Sequence, residues 1–305
     1  MRKKKSKFNV ISTIVLLILL LVGLSVMLYP TVSNWWNTRV QSYAVAEYNQ
    51  AVEQMDDSEK EKILAAAHAY NTSLNQIYAP FENYDEVPGY EENLNVSGTG
   101  IMGYISIPEI KVELPIYHGT SAEVLNVAVG HLQGSSLPVG GTDAHAVISA
   151  HRGLPSAKLF SDLDQLTEGD TFTITILDEI LTYEVERILI VRPEEIDKLA
   201  VIPGGDYVTL MTCTPYGINT HRLLVRAHRI ETVYPNNIKV TADAVQLDSV
   251  SVVPFFAAPL LLGLLLFWIF GGRRKKTIPA DDPLLILQWS ESLEREEGEM
   301  PCAKK

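Results

Sequence analysis

The chain has 305 residues, of which 25 are Lys or Arg and 37 are Asp or Glu, so its formal net charge is −12. A hydrophobic fraction of 47% argues against a disordered chain, and the acidic balance argues against nucleic-acid binding. Two cysteines are too few for a disulfide framework or a cysteine-rich zinc module.

Two uncharged apolar runs, at 8–29 and 250–270, are each long enough to cross the roughly 30 Å hydrocarbon core of a bilayer as a helix. Basic residues flank the outer end of each run, five within residues 1–8 and four at 273–276. The positive-inside rule therefore predicts a two-pass protein with both termini in the cytoplasm. The alternative for the first run is a cleaved signal peptide, but its apolar core is longer than the roughly 7–15 residues of a signal h-region.

This topology predicts how the chain is divided. A basic stub with the first anchor occupies 1–30, the second transmembrane helix 250–270, and a cytoplasmic tail 271–305. Between the anchors we expect a helical extension at 31–76, a lid loop or linker at 77–100, a β domain at 101–235 and a linker at 236–249. The external segment 31–249 carries 13 Lys and Arg against 30 Asp and Glu, about −17 in formal charge, which favours basic or neutral partners.

The helical extension is predicted to form two helices with a break at Asp56-Asp57. In the first helix, apolar residues recur on one face at helical spacing. They are Trp36, Val40, Tyr43 and Ala44, continued by Tyr48, Ala51 and Met55. Ser58 with Glu61 three residues later matches a capping box. It predicts a second helix over 59–76, with Ile63, Ala67, Tyr70 and Leu74 on one face.

From residue 101 onward the pattern changes to short segments rich in Val, Ile, Thr and Tyr, separated by Gly-containing turns. The predicted strands are Met102–Ile107, Val112–Ile116, Ala146–Ala150, Thr171–Leu177, Leu181–Val191, Tyr207–Cys213 and His221–Ile230. Many short strands with this spacing indicate a closed barrel or a sandwich. A short helix is predicted at about Ser156–Leu166.

Cys213 is the strongest candidate for chemistry. Cys302 falls in the predicted cytoplasmic tail, so the external domain has one cysteine and no disulfide can form within it. A lone cysteine is often a buried hydrophobic thiol. However, Cys213 ends a predicted strand, where a side chain can reach solvent more readily than in mid-strand, and this position favours a nucleophile.

A thiol nucleophile needs a nearby base or positive charge. His151 follows the strand Ala146–Ala150 and is a candidate base, although His145 or His221 could replace it. No metal site or cofactor is predicted, because Asp143, His145 and His151 are too weak a pattern for a ligand set.

Arg222 is the candidate cation. It begins the strand that follows Cys213 and lies nine residues after it, so an antiparallel hairpin would place the two side by side. A guanidinium there could stabilise a thiolate or an oxyanion. Arg226 and Arg229 on the same strand are competing choices.

The strand Thr209-Leu210-Met211-Thr212-Cys213 matches the Thr-Leu-x-Thr-Cys signature of sortases, and the chain resembles the pilin-polymerising class C type. Its continuation over 214–223 is also similar to that class. Further matches are Gly103-Tyr104-Ile105-x-Ile107-Pro108, Leu114-Pro115-Ile116-Tyr117-His118-Gly119 and His151-Arg152-Gly153-Leu154-Pro155-Ser156-Ala157. The resemblance covers roughly 40–232.

The resemblance implies a mostly β fold, an eight-stranded sortase barrel with an N-terminal helical extension and two flanking transmembrane helices. It implies Cys213 as nucleophile, His151 as general acid and base, and Arg222 as stabiliser of the oxyanion and substrate. The implied reaction cleaves a Leu-Pro-x-Thr-Gly-like sorting signal of a pilin between Thr and Gly and passes the acyl group to a lysine of the next pilin. The implied location is the cell membrane of a Gram-positive bacterium, with the catalytic domain outside.

Class C sortases resemble one another in a lid loop with an Asp-Pro-aromatic motif, and the external segment contains no Asp-Pro pair. The nearest match is Ala79-Pro80-Phe81, which makes Phe81 the lid candidate and Tyr78 its rival, on a lid held more loosely than usual. Two other functions stay open: a housekeeping sortase that attaches proteins to peptidoglycan, and a non-catalytic anchored barrel that only binds peptides.

Overall fold

A computed structural model describes residues 7–232 together with residues 259, 262 and 263. The chain divides into two units, Met1–Ala244 and Val245–Lys305, and the architecture below belongs to the first. The predicted linker at 236–249 and tail at 271–305 lie outside the described residues, as do residues 1–6 of the basic stub and nearly all of the second predicted transmembrane helix.

The anchor and the first part of the extension form one helix, α1 (Lys7–Glu53), with Pro30 inside it. Within the described part of the chain, the segment Ser12–Glu53 of this helix is the one that is long and apolar enough to span a bilayer. Its C-terminal half packs on the barrel through Val45, Tyr48 and Val52. The hydroxyl of Tyr48 donates to the Met102 carbonyl at 3.0 Å and accepts from the Leu177 amide at 2.7 Å.

The prediction of which face of this helix packs on the barrel was wrong for residues 36–43. Trp36 and Tyr43 are 61% and 62% exposed, whereas Gln41 on the neighbouring face is 7% exposed. The reason is that the contact uses the amide of Gln41, which donates to the Val127 carbonyl at 2.6 Å, rather than the aromatic residues.

The second helix, α2 (Asp57–Leu74), buries Ala67, Tyr70 and Leu74, as its periodicity predicts. The predicted cap was displaced by two residues. Asp56, not Ser58, is the N-cap, and it forms the capping box with Glu59 instead of Glu61. A carboxylate accepts from the N3 amide as a hydroxyl does, so both registers satisfy the pattern and the sequence alone could not separate them.

Among the described residues, eight strands close into a barrel in the order β1-β2-β3-β4-β7-β8-β6-β5. They are β1 (Ile101–Ile107), β2 (Val112–His118), β3 (Val129–His131), β4 (Ala144–Ser149), β5 (Thr171–Ile176), β6 (Glu179–Val191), β7 (Asp206–Thr214) and β8 (His221–Ile230). A short helix, α3 (Ala122–Leu125), precedes β3. β3 was missed from the sequence because three residues carry no periodicity. The helix predicted at about Ser156–Leu166 was wrong, since this segment contains only a 3₁₀ turn at Leu163–Gln165.

Alternation along the strands divides β4, β7 and β8 between two apolar clusters. Their inward residues join the main core, and these are Ala146, Ile148, Val208, Leu210, Leu223, Val225 and Ala227. Their outward residues join a smaller cluster, which we call the outer cluster. It consists of Val147, Val191, Leu199 and Leu224, with Phe81, Leu132, Leu189 and Met211 packed against it. The outer face of these three strands is therefore a covered apolar surface, and the candidate site lies at its end.

Candidate active site

Cys213 lies on β7 between the two strands that carry the other candidates. In the antiparallel ladder of β7 and β8, Cys213 pairs directly with Arg222. In the parallel ladder of β4 and β7, the last pair is Ser149 with Met211. Continuing this register by two residues on each strand places His151 beside Cys213. Neighbouring strands are roughly 4.8 Å apart, so His151, Cys213 and Arg222 form a row across three strands.

All three side chains of this row belong to the outer face. Cys213 follows Met211 by two residues and Arg222 precedes Leu224 by two, and both neighbours lie in or against the outer cluster. His151, Cys213 and Arg222 are each partly exposed. A substrate that reaches the end of the outer face can thus meet a thiol with an imidazole on one side and a guanidinium on the other.

The backbone beside the thiol is held by the strands on both sides. The Ala150 amide donates to the Met211 carbonyl at 3.1 Å, and the buried Thr212 hydroxyl donates to the Ala150 carbonyl at 2.8 Å. These two bonds extend the pairing beyond the last residue of β4, up to His151. The Thr212 side chain therefore tethers the strand end from which His151 projects.

Arg222 is oriented by its own turn. One guanidinium nitrogen donates to the carbonyls of Asn219 at 3.3 Å and His221 at 3.2 Å. The free Cys213 thiol receives no hydrogen bond from any described residue. Since a guanidinium has five N–H donors, others remain to bind an oxyanion or a substrate carbonyl.

Three alternatives from the sequence have other partners. His145 is buried, with Nδ1 at 2.8 Å from the Ala200 carbonyl and Nε2 at 2.7 Å from the Thr209 hydroxyl. Burial lowers the pKa of His145, which favours the neutral ring, and both ring nitrogens have partners other than the thiol. Arg226 donates to Glu186 at 2.7 Å, and Arg229 lies 5.6 Å from the centre of the Tyr183 ring.

His221 remains close to the row, since its strand partner is Thr214, one residue after the thiol. Thr214 is buried and Cys213 is not, which places the His221 position on the opposite side of the sheet from Cys213 by alternation. His151 is therefore better placed as the base.

The loop that follows His151 is fixed by contacts that sequence reasoning missed. The Arg152 side chain forms a salt bridge with Asp164, donates to the Ser161 carbonyl at 3.2 Å, and lies 5.8 Å from the centre of the Tyr216 ring. A Cβ at Gly153 would come within 3.0 Å of the same ring. The turns after His151 and after Cys213 thus pack on each other, a contact between distant segments that leaves no signal in the sequence.

The two lid candidates differ in their surroundings. Phe81 packs against the outer cluster, whereas Tyr78 is 89% exposed. The segment 79–83 is a tight turn in which the amides of Glu82 and Asn83 bond to the Ala79 carbonyl at 2.9 and 3.1 Å. Phe81 thus covers part of the outer face, the same face of the sheet to which the Cys213 side chain belongs.

Next to Phe81 is a cavity of about 350 Å³ between the turn at 79–83, residues 134–136 and residues 196–201. The approach between the first two walls is close: a Cβ at Gly134 would lie 2.8 Å from the Pro80 carbonyl oxygen and 2.9 Å from the Phe81 Cα. Gly134, which has no Cβ, therefore allows the turn at 79–83 to lie this close to residues 134–136.

Comparison with known proteins gives consistent matches. The Sortase domain family matches residues 105–230. Sortase C1 from Streptococcus agalactiae is 46% identical with a TM-score of 0.58, and the match covers 63% of this chain and 100% of that one. Sortase C from Streptococcus pneumoniae is 43% identical with a TM-score of 0.57, over 63% of this chain and 99% of that one.

A curated relative gives a shorter match. Sortase A of Streptococcus agalactiae is 31% identical over 135 residues, which is 43% of this chain and 54% of that protein. The chain therefore spans about half the length of this relative. Because the match to the solved class C structures extends over almost their full length at more than 40% identity, the chain belongs to the sortase family of cysteine transpeptidases, with class C members as its structural neighbours.

Proposed function

We propose that this chain is a membrane-anchored transpeptidase that joins pilin subunits through a thioester intermediate. The observation that carries the proposal is the row in which Cys213 is flanked by His151 and Arg222 on one face of the barrel. A thiol, an acid–base group and a fixed cation are the three parts that acyl transfer through a cysteine requires.

In the first half-reaction, the Cys213 thiolate attacks the carbonyl carbon of Thr in a Leu-Pro-x-Thr-Gly-like sorting signal. The oxyanion that forms is stabilised by the Arg222 guanidinium. Collapse of this intermediate breaks the Thr–Gly bond, and His151 as imidazolium protonates the departing glycine amine. The product is a thioester between the Thr carbonyl and Cys213.

In the second half-reaction, the ε-amine of a lysine on the next pilin attacks the thioester. The now neutral His151 takes a proton from the attacking amine, the C–S bond breaks, and an isopeptide bond joins the two pilins. His151 and Cys213 thereby return to their starting protonation states. The sortase C from Streptococcus pneumoniae has pilin substrates, and this likeness supports the choice of pilin here.

The proposed location follows from α1. An 18-residue stretch of its segment Ser12–Glu53 has mean hydropathy 2.6, and side chains such as Leu16 and Val22 are exposed, as expected of a surface that faces lipid. Anchorage would hold the barrel at the outer surface of a Gram-positive membrane, where newly exported pilins emerge. The second membrane crossing is part of the proposal and rests on the sequence of 250–270.

The test uses the purified full-length chain with a pilin that carries a sorting signal and an acceptor lysine. We expect covalent ladders on denaturing gels and a mass spectrum with the pilin acyl group on Cys213, and Cys213→Ala should abolish both. Transfer to a short oligoglycine without ladders would instead indicate a housekeeping sortase. Ladders formed by Cys213→Ala would overturn the assignment of the nucleophile.

We also propose that Phe81 shields the site as a lid. Removal of its ring uncovers part of the outer cluster and should speed alkylation of Cys213 by iodoacetamide. Tyr78→Ala is the matched control, because that exposed ring is three residues away in the same loop. Equal rates for Phe81→Ala and Tyr78→Ala would remove Phe81 from the lid.

A further inference from the structure

The helix that carries the anchor also contacts the loop that begins at the candidate acid–base residue. Asn34, Asn37 and Gln41 lie three and four residues apart on α1, so they share one face of the helix. We call this set the amide stripe. Asn34 and Asn37 are partly buried and Gln41 is buried, although none of them is apolar.

Each amide of the stripe bonds to a backbone group of the barrel domain. Asn34 Oδ1 accepts from the Lys158 amide at 2.8 Å, and Asn37 Nδ2 donates to the Ser156 carbonyl at 2.8 Å. Gln41 Nε2 donates to the Val127 carbonyl at 2.6 Å. Two of the three bonds therefore end on the segment 156–158.

This segment is the outer part of the loop that starts at His151. The loop is closed at its base, where the Phe160 amide donates to the His151 carbonyl at 3.2 Å and the Gly153 amide donates to the Ser161 hydroxyl at 3.1 Å. Ala157, Leu159 and Phe160 are buried, so the loop packs as one unit. A displacement at 156–158 is therefore expected to move the backbone of His151.

We propose that Asn34 and Asn37 are positioning residues for His151. They hold the loop by hydrogen bonds on both sides of Ala157, one asparagine accepting and the other donating. These bonds thereby fix the position of the imidazole relative to the Cys213 thiol. The proposal rests on the role given to His151 in the proposed function. It also means that the helix leaving the membrane is part of the support of the site.

The two asparagines have opposite hydrogen-bonding roles, which makes the proposal testable with a single substituted residue type. Aspartate has nearly the shape of asparagine but only accepts hydrogen bonds when ionised. Asn34→Asp keeps the acceptor that faces the Lys158 amide. Asn37→Asp removes the donor and places a carboxylate against the Ser156 carbonyl oxygen. A charge effect of aspartate on α1 would be similar at the two positions, and the alkylation rate in the His151→Ala background separates a positioning role from a merely structural one.

The first measurement is steady-state cleavage of a sorting-signal peptide by the full-length chain in detergent. We expect Asn37→Asp to lower kcat by about tenfold or more with KM nearly unchanged, since a small misplacement of a catalytic group affects chemistry more than binding. Asn34→Asp should retain most of the activity and Asn34→Ala should not. Ser42→Asp is the charge control, because the Ser42 hydroxyl bonds only within the helix, to the Thr38 carbonyl at 3.0 Å.

The second measurement is the rate of iodoacetamide alkylation of Cys213, which needs no substrate. Asn37→Asp should slow alkylation severalfold in the otherwise unchanged chain, and should have no further effect in the His151→Ala background, because it acts through His151. Asn37→Ala, which adds no charge, provides a second variant if Asn37→Asp lowers the thermal unfolding midpoint.

The proposal is overturned if Asn34→Asp and Asn37→Asp have equal effects, or if Asn37→Asp slows alkylation as much without His151 as with it. Failure of the proposed function would look different. In that case the unchanged chain would not cleave any sorting-signal peptide, while the alkylation rates in the two backgrounds would still decide whether Asn37 acts through His151.

Discussion

The sharpest pH prediction concerns His131, which lies on β3 with its side chain fully buried. Burial lowers its pKa from 6.5 to about 4, only partly offset by the hydrogen bond between Nε2 and the Ser136 carbonyl at 2.8 Å. The Tyr90 hydroxyl lies 2.9 Å from Nδ1. The ring is therefore neutral in the folded protein above about pH 4.

The sign of the effect follows from proton binding. Below about pH 6.5 the unfolded chain binds a proton at this histidine that the folded chain does not, so the free energy of unfolding falls as the pH falls. The two pKa values correspond to a loss of about 3 kcal/mol once the pH is below about 4, and of about 2 kcal/mol between about pH 7 and about pH 4.5.

The assay is urea unfolding of the full-length chain in detergent at about pH 7 and at about pH 4.5, monitored by near-ultraviolet circular dichroism. His131→Gln keeps an amide donor for Ser136 but cannot titrate, so it should lose about 2 kcal/mol less than the unchanged chain on acidification. Asp206→Asn is a control for the direction of the effect, because titration of Asp206 changes the free energy of unfolding in the opposite direction. Burial raises the pKa of Asp206, so removing its titration should make the acid loss larger. Equal acid losses for His131→Gln and the unchanged chain would refute the reasoning.

Three further predictions concern the site and its supports. Arg222→Lys should lower kcat/KM of peptide cleavage by about tenfold to a hundredfold, because an ammonium lacks the forked donors of a guanidinium; an unchanged value would exclude the oxyanion role. Thr212→Val leaves the Ala150 carbonyl without its 2.8 Å donor and should cost about 1–3 kcal/mol in urea unfolding, with Thr212→Ser nearly neutral. Gly134→Ala places a Cβ 2.8 Å from the Pro80 carbonyl oxygen, which should displace the lid turn and speed alkylation of the thiol.

The part of the site built on a hairpin was predictable from the sequence. Cys213 and Arg222 are nine residues apart across a short Gly-containing turn, and an antiparallel register follows from that separation. The observed pairing of these two residues confirms it. The position of His151 beside Cys213 was not predictable from spacing. It depends on the register of the parallel ladder of β4 and β7, whose strands lie far apart in the sequence.

The irregular supports of the site were beyond sequence reasoning for a different reason. The loop after His151 was predicted as a helix, yet its conformation is set by contacts with distant partners such as Asn37, 119 residues away from Ser156. Likewise, hydrophobic periodicity on α1 favoured the face that contains Trp36, whereas amide side chains make the contact. Hydrophobic periodicity considers only the spacing of apolar residues, so it does not identify polar side chains that form hydrogen bonds with the backbone of another segment.

The three groups of the row differ in how rigidly the fold holds them. Cys213 and Arg222 are paired positions of one ladder, so their separation can change only if the barrel opens. His151 lies one residue past Ala150, beyond the last residue of β4, and its loop depends on hydrogen bonds to Thr212 and to the helix that precedes the barrel. Substitutions on α1 that leave the barrel and the three side chains of the row intact should therefore change activity through the position of the histidine.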